Sequence, residues 1–385
     1  MHLLGMARLA FLSLATTAAL GFAVLVANGG LSGSAATASA AAQEPKTVTV
    51  LVGGGQDTVD LLSFFPRKVR IHVGDTITWK QNSDAAHTVS LHGAFPGPGG
   101  ANLFFDPGTT VPGANLPVPG RPGVTQLNPL QVYPFPGPEV LDSVYSGGQF
   151  VSSGRFVGTP PTPGLDRDVF EFSLTFDTPG TYEYLCLTHV GTMFGTVEVV
   201  GATSDVPTAA DIEVEGQAQI AALTNLTERE KAQRDNSRSE PGPAGNTTWY
   251  VMAGNHFFQL GDLRATLLEF LPRDVTVTAG DTIVWGSTGF HSVTFNPAPP
   301  PPPLNLLETL PDGTQAIINN PLAYDPVKPS AVYDPTKLFN SGNLAQAQPN
   351  GTAWTLAFET PGVFEYYCAV HREAGMVGTI TVLPR

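Results

Sequence analysis

The sequence predicts an all-β protein of two tandem Greek-key β-sandwiches or barrels, joined by a partly helical linker. Three observations favour this class. The composition has 41 Gly and 35 Pro among 385 residues and only 14% charged residues, which suits strands and loops better than helical bundles. The chain matches itself along two long segments. Finally, only the stretch between the two copies has a helical composition.

The N-terminal segment has the order of a secretory signal. Arg8 precedes an apolar run over residues 9–27, and small residues including 38–40 follow it. We therefore expect an exported protein, periplasmic or extracellular. The apolar run is close to the length that crosses a bilayer, so an uncleaved N-terminal membrane anchor stays open as an alternative. Residues 1–45 are assigned to this signal or anchor and a flexible Ala/Gly/Ser segment.

The charge of the chain argues against one class of partner. The formal net charge is −14, with 19 Lys and Arg against 33 Asp and Glu. Binding to phosphate backbones needs clustered basic residues, so we expect no nucleic-acid partner. An acidic surface instead suits solubility outside the cytoplasm, or docking to a basic protein.

An internal repeat defines the two predicted domains. Residues 61–79 match residues 267–285, and residues 176–186 match residues 358–368. Duplication of a whole domain explains both matches. The resulting organisation is domain one at 46–201, a linker at 202–245 and domain two at 246–385. The middle of the linker is rich in Ala, Gln, Glu and Lys, which predicts a helix there.

Strand signals within each domain favour a Greek-key sandwich. Residues 69–73 alternate apolar and polar side chains before a Gly-Asp turn, as a half-buried strand does. Each domain also has a long insertion rich in Pro and Gly, at 93–166 and 296–350. Two interpretations stay open for the insertions: they are loop padding, or they shape the approach to a functional site.

Both domains contain the same series of sulfur and imidazole groups. In chain order, each offers a His, then Cys-x-x-His, then a Met. These residues are His87, Cys186, His189 and Met193 in domain one, and His291, Cys368, His371 and Met376 in domain two. Two His, one Cys and a weak axial Met are the ligand set of a trigonal copper site, and the soft sulfur favours copper over Zn or Mg.

On these residues the chain resembles the plastocyanin/azurin (cupredoxin) family, over nearly the whole of both domains apart from the insertions and the linker. The resemblance implies the cupredoxin fold and two mononuclear type 1 copper sites, one per domain, with the eight side chains as ligands. It also implies an electron carrier rather than an enzyme. The donor and the acceptor would be redox proteins, which the sequence does not identify.

The two domains depart from the plastocyanin pattern at a few positions. Three residues separate His189 from Met193, whereas four separate the corresponding His and Met of domain two. Plastocyanins usually have Asn after the first His, where this chain has Thr88 and Ser292. A Tyr comparable to that of plastocyanin precedes Cys368 only, since Leu185 precedes the other Cys.

Several alternatives compete with electron transfer. One disulfide between Cys186 and Cys368 would be ordinary in an exported chain, although it would remove the thiolate from both sites. A copper storage, delivery or sensing protein would use the same ligands without electron turnover, and a scaffold protein would have incidental copper sites. A copper nitrite reductase-like enzyme needs a further site with three His, and apart from His2 in the signal-like segment only His72, His92 and His256 are spare.

Overall fold

The computed structural model describes residues 44–91, 115–156, 169–189, 191–242, 245–344 and 353–385. The predicted signal or anchor segment lies outside these residues, except for its last two positions. Across the described ranges, no helix combines the length and the hydropathy needed to cross a membrane.

The first sandwich consists of two five-stranded sheets. Its strands and those of its insertion are β1 Thr47–Val52, β2 Val59–Asp60, β3 Phe64–Phe65, β4 Lys68–His72, β5 Thr76–Gln81, β6 Ser90–Leu91, β7 Asn115–Pro117, β8 Thr125–Leu127, β9 Asp142–Tyr145, β10 Val151–Ser152, β11 Glu171–Phe176, β12 Gly180–Leu185 and β13 Phe194–Val200. One sheet has the order β3-β1-β5-β11-β9, and the other has the order β10-β6-β12-β13-β4.

Alternating burial explains why these segments form a sandwich. In β1, Val48, Val50 and Val52 are buried while the residues between them are more exposed, so one face packs inward. Trp79 of β5 fills the centre, with its ring centroid 5.2 Å from that of Tyr184 and 5.5 Å from that of Phe172. Cys186 and Met193 belong to the same apolar cluster. The predicted ligands therefore lie at the edge of a dry core.

The second sandwich repeats this plan. Its strands and those of its insertion are β14 Arg238–Pro241, β15 Thr247–Leu260, β16 Leu263–Leu271, β17 Asp274–Thr278, β18 Asp281–Gly286, β19 Thr294–Phe295, β20 Asn305–Thr309, β21 Gln315–Asn319, β22 Phe339–Asn340, β23 Ala353–Phe358, β24 Gly362–Tyr367 and β25 Val377–Leu383. The sheet orders are β2-β16-β15-β18-β23, with β14 beside β15, and β17-β25-β24-β19-β22. Trp285 fills the core together with Tyr366. The all-β prediction is confirmed, while the predicted domain bounds stay a prediction.

One long helix and several short helical segments complete the secondary structure of the described residues. They are α1 Pro129–Val132, a 3-10 turn at Pro138–Leu141, α2 Ala209–Arg234 and α3 Pro321–Tyr324. Helix α2 begins with a capping box, in which Thr208 Oγ1 accepts from Asp211 N at 3.1 Å and Asp211 Oδ2 accepts from Thr208 N at 3.0 Å. The helical part of the linker is therefore defined at its start by local sequence.

Helix α2 packs against both sandwiches. Leu223 is fully buried in an apolar cluster with Phe65 of the first sandwich and Leu267 of the second. The Nζ of Lys231 lies 2.6 Å from Glu269 Oε2 of β16, and Gln219 Oε1 accepts from Arg67 N at 3.2 Å. The linker helix is thus part of the interface between the two halves.

A strand pair also joins the two sandwiches directly. Strand β2 lies between β1 and β3 of the first sandwich in the chain, but it pairs antiparallel with β16 of the second, and Asp60 stands opposite Thr266. Nearby, Ser63 Oγ accepts from Arg264 N at 2.9 Å. Backbone hydrogen bonds therefore hold the two halves in one register.

The described parts of the two insertions form a small sheet together. Its order is β20-β21-β8-β7, and Ile318 of β21 pairs with Gln126 of β8. The amide of Asn319 donates to Asn115 Oδ1 at 2.8 Å and to Thr125 Oγ1 at 2.9 Å, which ties the insertions to each other. Where they are described, the insertions have secondary structure rather than forming loops only.

Truncation of Leu223 tests the role of α2. Because its side chain is 0% exposed between the two sandwiches, we expect Leu223→Ala to lower the free energy of unfolding by about 2 to 5 kcal/mol. The measurement is chemical denaturation followed by circular dichroism. The matched control is Val214→Ala on the same helix, where the side chain is 69% exposed, and a change within about 0.5 kcal/mol is expected. Equal midpoints for the two variants would contradict this packing.

Candidate metal centres

Loops at matching places of the two sandwiches present the predicted ligands. In the first, His87 lies between β5 and β6, whereas Cys186, His189 and Met193 lie between β12 and β13. In the second, His291 lies between β18 and β19, and the other three lie between β24 and β25. Each site therefore needs two segments that are far apart in sequence, which only the folded sheets bring together.

In the first site the sulfur and two ring nitrogens converge. Cys186 Sγ lies 3.9 Å from His87 Nδ1 and 3.7 Å from His189 Nδ1, and the two nitrogens are 3.2 Å apart. His87 and Cys186 are fully buried and His189 is half-buried. One edge of the site thus reaches the surface through His189.

The second site has the same arrangement. Cys368 Sγ lies 3.5 Å from His371 Nδ1, and His291 Nδ1 lies 3.1 Å from His371 Nδ1. In both sites the three ligand atoms lie within 4.8 Å of one another. Both cysteines are free and buried, so the disulfide alternative is not seen.

Both predicted methionines are buried beside their sites. Met193 and Met376 are 0% exposed and belong to the same apolar clusters as the cysteines. Cys186 N donates to Met193 O at 2.9 Å, and Cys368 N donates to Met376 O at 3.0 Å. The first loop has one residue fewer between its His and its Met than the second, yet both loops keep this backbone hydrogen bond. The role of either thioether as an axial ligand stays a prediction.

The surroundings of each sulfur favour the thiolate. Burial alone would raise the pKa of Cys186, but hydrogen bonds and positive charge from His189 and His87 hold that pKa well below its ordinary value. Burial would likewise raise the pKa of Cys368. The hydrogen bond and the positive charge of His291 outweigh that effect, so this pKa is lowered too. Backbone N–H groups also donate to the sulfurs, from Thr88 at 3.3 Å and from Ser292 at 3.4 Å.

The hydroxyl residues after the first His hold the cysteine loop. Thr88 Oγ1 accepts from Leu187 N at 2.7 Å, and Ser292 Oγ accepts from Ala369 N at 2.8 Å. Each bond links the two chain segments of a site. Where plastocyanins usually have Asn, this chain thus has a hydroxyl side chain that accepts from the backbone N–H of the residue after the Cys.

Residues of the insertions support the first His of each site. Phe156 N donates to His87 O at 2.7 Å, and Leu344 N donates to His291 O at 2.8 Å. Two serine hydroxyls, each in a Ser-Gly pair, accept a hydrogen bond from the backbone N–H two residues after that His. Ser153 Oγ accepts from Val89 N and Ser341 Oγ accepts from Val293 N, each at 2.8 Å. Sequence reasoning missed these residues, although the recurring Ser-Gly pair was a usable signal.

A glycine with positive φ lies against each first His. An added Cβ would lie 2.5 Å from His87 Nε2 at Gly53, and 2.3 Å from His291 Nε2 at Gly254. The φ values are +70° and +65°, which disfavour other residues. The backbone thus approaches the back of the imidazole so closely that only hydrogen fits.

The outer nitrogen of His87 has polar neighbours. Ser83 Oγ lies 2.9 Å from Nε2, and Asp60 Oδ1 lies 3.6 Å from it. Burial would lower the pKa of His87, but the Asp60 carboxylate and Cys186 raise it to about 9. In the second site burial lowers the pKa of His371 to about 4. The pKa of the first His of one site and that of the second His of the other are therefore shifted in opposite directions.

The residues present fit a copper ion. A buried thiolate with two imidazole nitrogens already beside it is a soft, preformed donor set, and a buried Met lies on the same loop. A bound copper ion would supply one-electron redox chemistry. The protein keeps the sulfur and nitrogen donor atoms in place and shielded from water, and it orients the imidazole rings through contacts with neighbouring residues.

Comparison with known proteins agrees with this geometry. Residues 260–383 match the model of copper binding proteins of the plastocyanin/azurin family. Plastocyanin of Prochlorothrix hollandica is 31% identical over 142 residues, which is 36% of this chain and 76% of that protein. The chain belongs to the plastocyanin/azurin family.

Parts of this chain are also similar to other plastocyanins. Plastocyanin of Nostoc punctiforme is 32% identical over 118 residues, covering 30% of this chain and 66% of the relative. The solved structure of oxidised plastocyanin from Dryopteris crassirhizoma is 20% identical, with a TM-score of 0.20, over 35% of this chain and 99% of that one. Membership of this copper-binding family confirms the copper prediction.

The spare histidines form no third centre within the described ranges. Groups of three or more metal-binding side chains there are the two His-Cys-His sets. His72 is buried, and its Nε2 lies 2.8 Å from the Ser204 carbonyl oxygen, which gives it a structural bond. His92 and the side chain of His256 lie outside what the structure describes.

Substitution of Gly254 tests the close approach to His291. We expect Gly254→Ala to abolish or strongly weaken copper binding at the second site, because the new methyl group would displace the ring. Copper quantitation and the visible spectrum measure the loss. Gly261→Ala is the matched control, since its φ of +60° is similar and an added Cβ meets nothing within 4 Å. If both variants keep two coppers, the approach is not required.

The pKa of His87 predicts a pH response of the first site. Below about pH 9, metal-free His87 holds a proton that copper must displace, so affinity of the first site falls as pH falls. His371, with a pKa of about 4, has none to lose at neutral pH. Chelator competition between about pH 6 and pH 8 should show this decline at the first site.

Single-site variants separate the two responses. In Cys368→Ser only the first site keeps its thiolate, and in Cys186→Ser only the second site does. The slope in the first variant is expected to approach, and not exceed, about tenfold per pH unit for one displaced proton. A flat affinity over this pH range in the first variant would contradict the assignment of the proton to His87.

Proposed function

We propose that the chain is an exported electron carrier that holds two mononuclear type 1 copper sites. The single observation that supports it is that a buried sulfur and two imidazole nitrogens come within 4.8 Å of one another at two places. The first site would use His87, Cys186, His189 and Met193. The second would use His291, Cys368, His371 and Met376.

The protein environment suits rapid one-electron exchange. Each sulfur is buried at the edge of a packed aromatic core and accepts a hydrogen bond from the backbone N–H of the residue after the first His. The hydroxyl of that same residue accepts from the backbone N–H after the Cys, which holds the two segments together. A donor set that is already in place needs little rearrangement between oxidation states. The half-buried rings of His189 and His371 are the edges through which electrons would enter and leave.

The partners are proposed to be redox proteins, one a donor and one an acceptor. The net charge of −14 favours partners with a basic docking face. Export to the periplasm or the extracellular space rests on the signal-like order of residues 1–45, with an uncleaved N-terminal anchor as the alternative.

A copper storage, delivery or sensing role is the second candidate. It would use the same donor set, but it requires copper to leave readily. Complete burial of both cysteines opposes easy release, which favours the carrier. A nitrite reductase-like enzyme would need a third centre in addition to the two sets found in the described ranges.

Single Cys→Ser variants test the proposal. The purified protein is expected to bind two coppers, to be intensely blue when oxidised and to bleach reversibly with a mild reductant. Cys186→Ser and Cys368→Ser should each lose one copper and part of the blue absorbance. Copper quantitation with visible spectroscopy measures both effects.

Two results would count against the carrier. Protein that stays colourless after copper loading and oxidation cannot have thiolate-bound type 1 copper. Blue protein that yields its copper to a weak chelator within the mixing time would instead support delivery.

A further inference from the structure

Each candidate ligand loop ends at a methionine, and a side chain from the interface between the two sandwiches lies against a residue next to each of them. Phe194 directly follows Met193, and Gly375 directly precedes Met376. The contacts of these two neighbours therefore show what holds the methionine segments in place.

At the first site, the guanidinium of Arg67 stacks on Phe194. Its Cζ lies 4.1 Å from the centroid of the Phe194 ring, which is within the range of a cation–π contact. The ring in turn packs against an apolar cluster that contains Leu185 and Leu187, the residues on either side of Cys186. A group held over Phe194 therefore supports the whole ligand loop of this site.

Contacts with the rest of the interface fix Arg67. Its Nη1 lies 2.9 Å from Asp262 Oδ2 of the second sandwich, and its backbone N–H donates to Gln219 Oε1 of α2 at 3.2 Å. The side chain of Arg67 is only 12% exposed. Arg273, the matching residue of the internal repeat, is exposed. The packing of the two halves thus buries one of two matching guanidinium groups.

At the second site, Thr58 of the first sandwich borders the ligand loop. An added Cβ at Gly375 would lie 3.6 Å from Thr58 Cγ2, so the methyl group faces this glycine at close range. At Gly191, the glycine of the first loop, an added Cβ meets nothing within 4 Å. A side chain from the first half of the chain thus limits movement of the second loop just before its methionine.

Two hydrogen bonds hold Thr58 in that position. Its carbonyl oxygen accepts from Leu268 N at 2.7 Å, and its Oγ1 donates to Glu269 Oε2 at 3.1 Å. The same carboxylate oxygen lies 2.6 Å from Lys231 Nζ of α2. The methyl group of Thr58 is therefore placed by strand β16 and by the linker helix, independently of the ligand loop that it borders.

We propose that Arg67 and Thr58 are positioning residues for the two methionines, so that the interface between the sandwiches supports both copper sites. Arg67 holds the segment of Met193, and Thr58 holds that of Met376. This inference rests on the proposed function. An axial thioether binds copper weakly, so its position depends on the surrounding protein, and that position tunes the reduction potential.

The test compares Arg67→Met with Thr58→Ser at both sites. Each substitution is made in Cys368→Ser, which keeps the first thiolate, and in Cys186→Ser, which keeps the second. Transfer of copper to a chelator should become roughly 2- to 30-fold faster at the first site in Arg67→Met, because a cation–π contact is lost. In Thr58→Ser it should become about 3- to 5-fold faster at the second site, because one methyl group is lost. The other site should keep the parent rate in each case.

Two further measurements separate positioning from a general loss of stability. In the metal-free protein, hydrogen exchange of backbone amides should accelerate within residues 187–193 in Arg67→Met, and within residues 369–376 in Thr58→Ser. Thr58→Ser changes no charge, so a shift of the second-site reduction potential reports a displaced methionine rather than an altered electrostatic field. We expect that shift at the second site and none at the first.

Three control variants isolate the contacts. Thr58→Val keeps the methyl group and should keep the parent rate of copper transfer at the second site. Arg67→Lys keeps the positive charge but not the planar group, and should recover part of the loss at the first site. Arg273→Met removes the matching exposed guanidinium, and both sites should keep their parent rates.

The outcomes decide the proposal. An equal change at both sites in either variant would overturn it, because the interface would then act through overall stability alone. Parent rates and parent exchange at the first site in Arg67→Met, or at the second site in Thr58→Ser, would overturn it as well. Parent protein that is not blue would instead refute the proposed function, and the exchange pattern of the metal-free protein would still decide the positioning roles.

Discussion

The structure depends on holding one thiolate beside two imidazoles in a place that water cannot reach. A buried thiolate is unfavourable by itself, so it must have donors around it before any metal binds. Cys186 and Cys368 satisfy this requirement with a backbone N–H and two His rings each. The sandwiches, the ligand loops and the insertions all contribute to that arrangement.

The sandwich core supplies the rigidity that this arrangement needs. Trp79 and Trp285 occupy matching central positions, and each contacts the Tyr two residues before a ligand Cys. Residues of the insertions then donate hydrogen bonds to the backbone carbonyls of His87 and His291, so a further chain segment holds the first His of each site. Two otherwise separate parts of each half of the chain therefore meet at one ring.

The two halves are joined by side-chain packing and by backbone pairing. Helix α2 and the pairing of β2 with β16 form the interface between them. Tandem domains on a flexible linker would share neither a strand pair nor a buried apolar cluster. The interface thus gives the duplicated chain contacts that neither half would have alone.

The sequence by itself determined the β class, the family resemblance, the candidate ligand residues and the helix in the linker, because these depend on local pattern and on short spacings such as Cys-x-x-His. It did not reveal that Ser153 and Ser341 support the sites, or that Asp60 lies 3.6 Å from His87 Nε2. Those relations join residues tens to hundreds of positions apart. Only the pairing of strands and the packing of the two sandwiches decides which distant side chains meet.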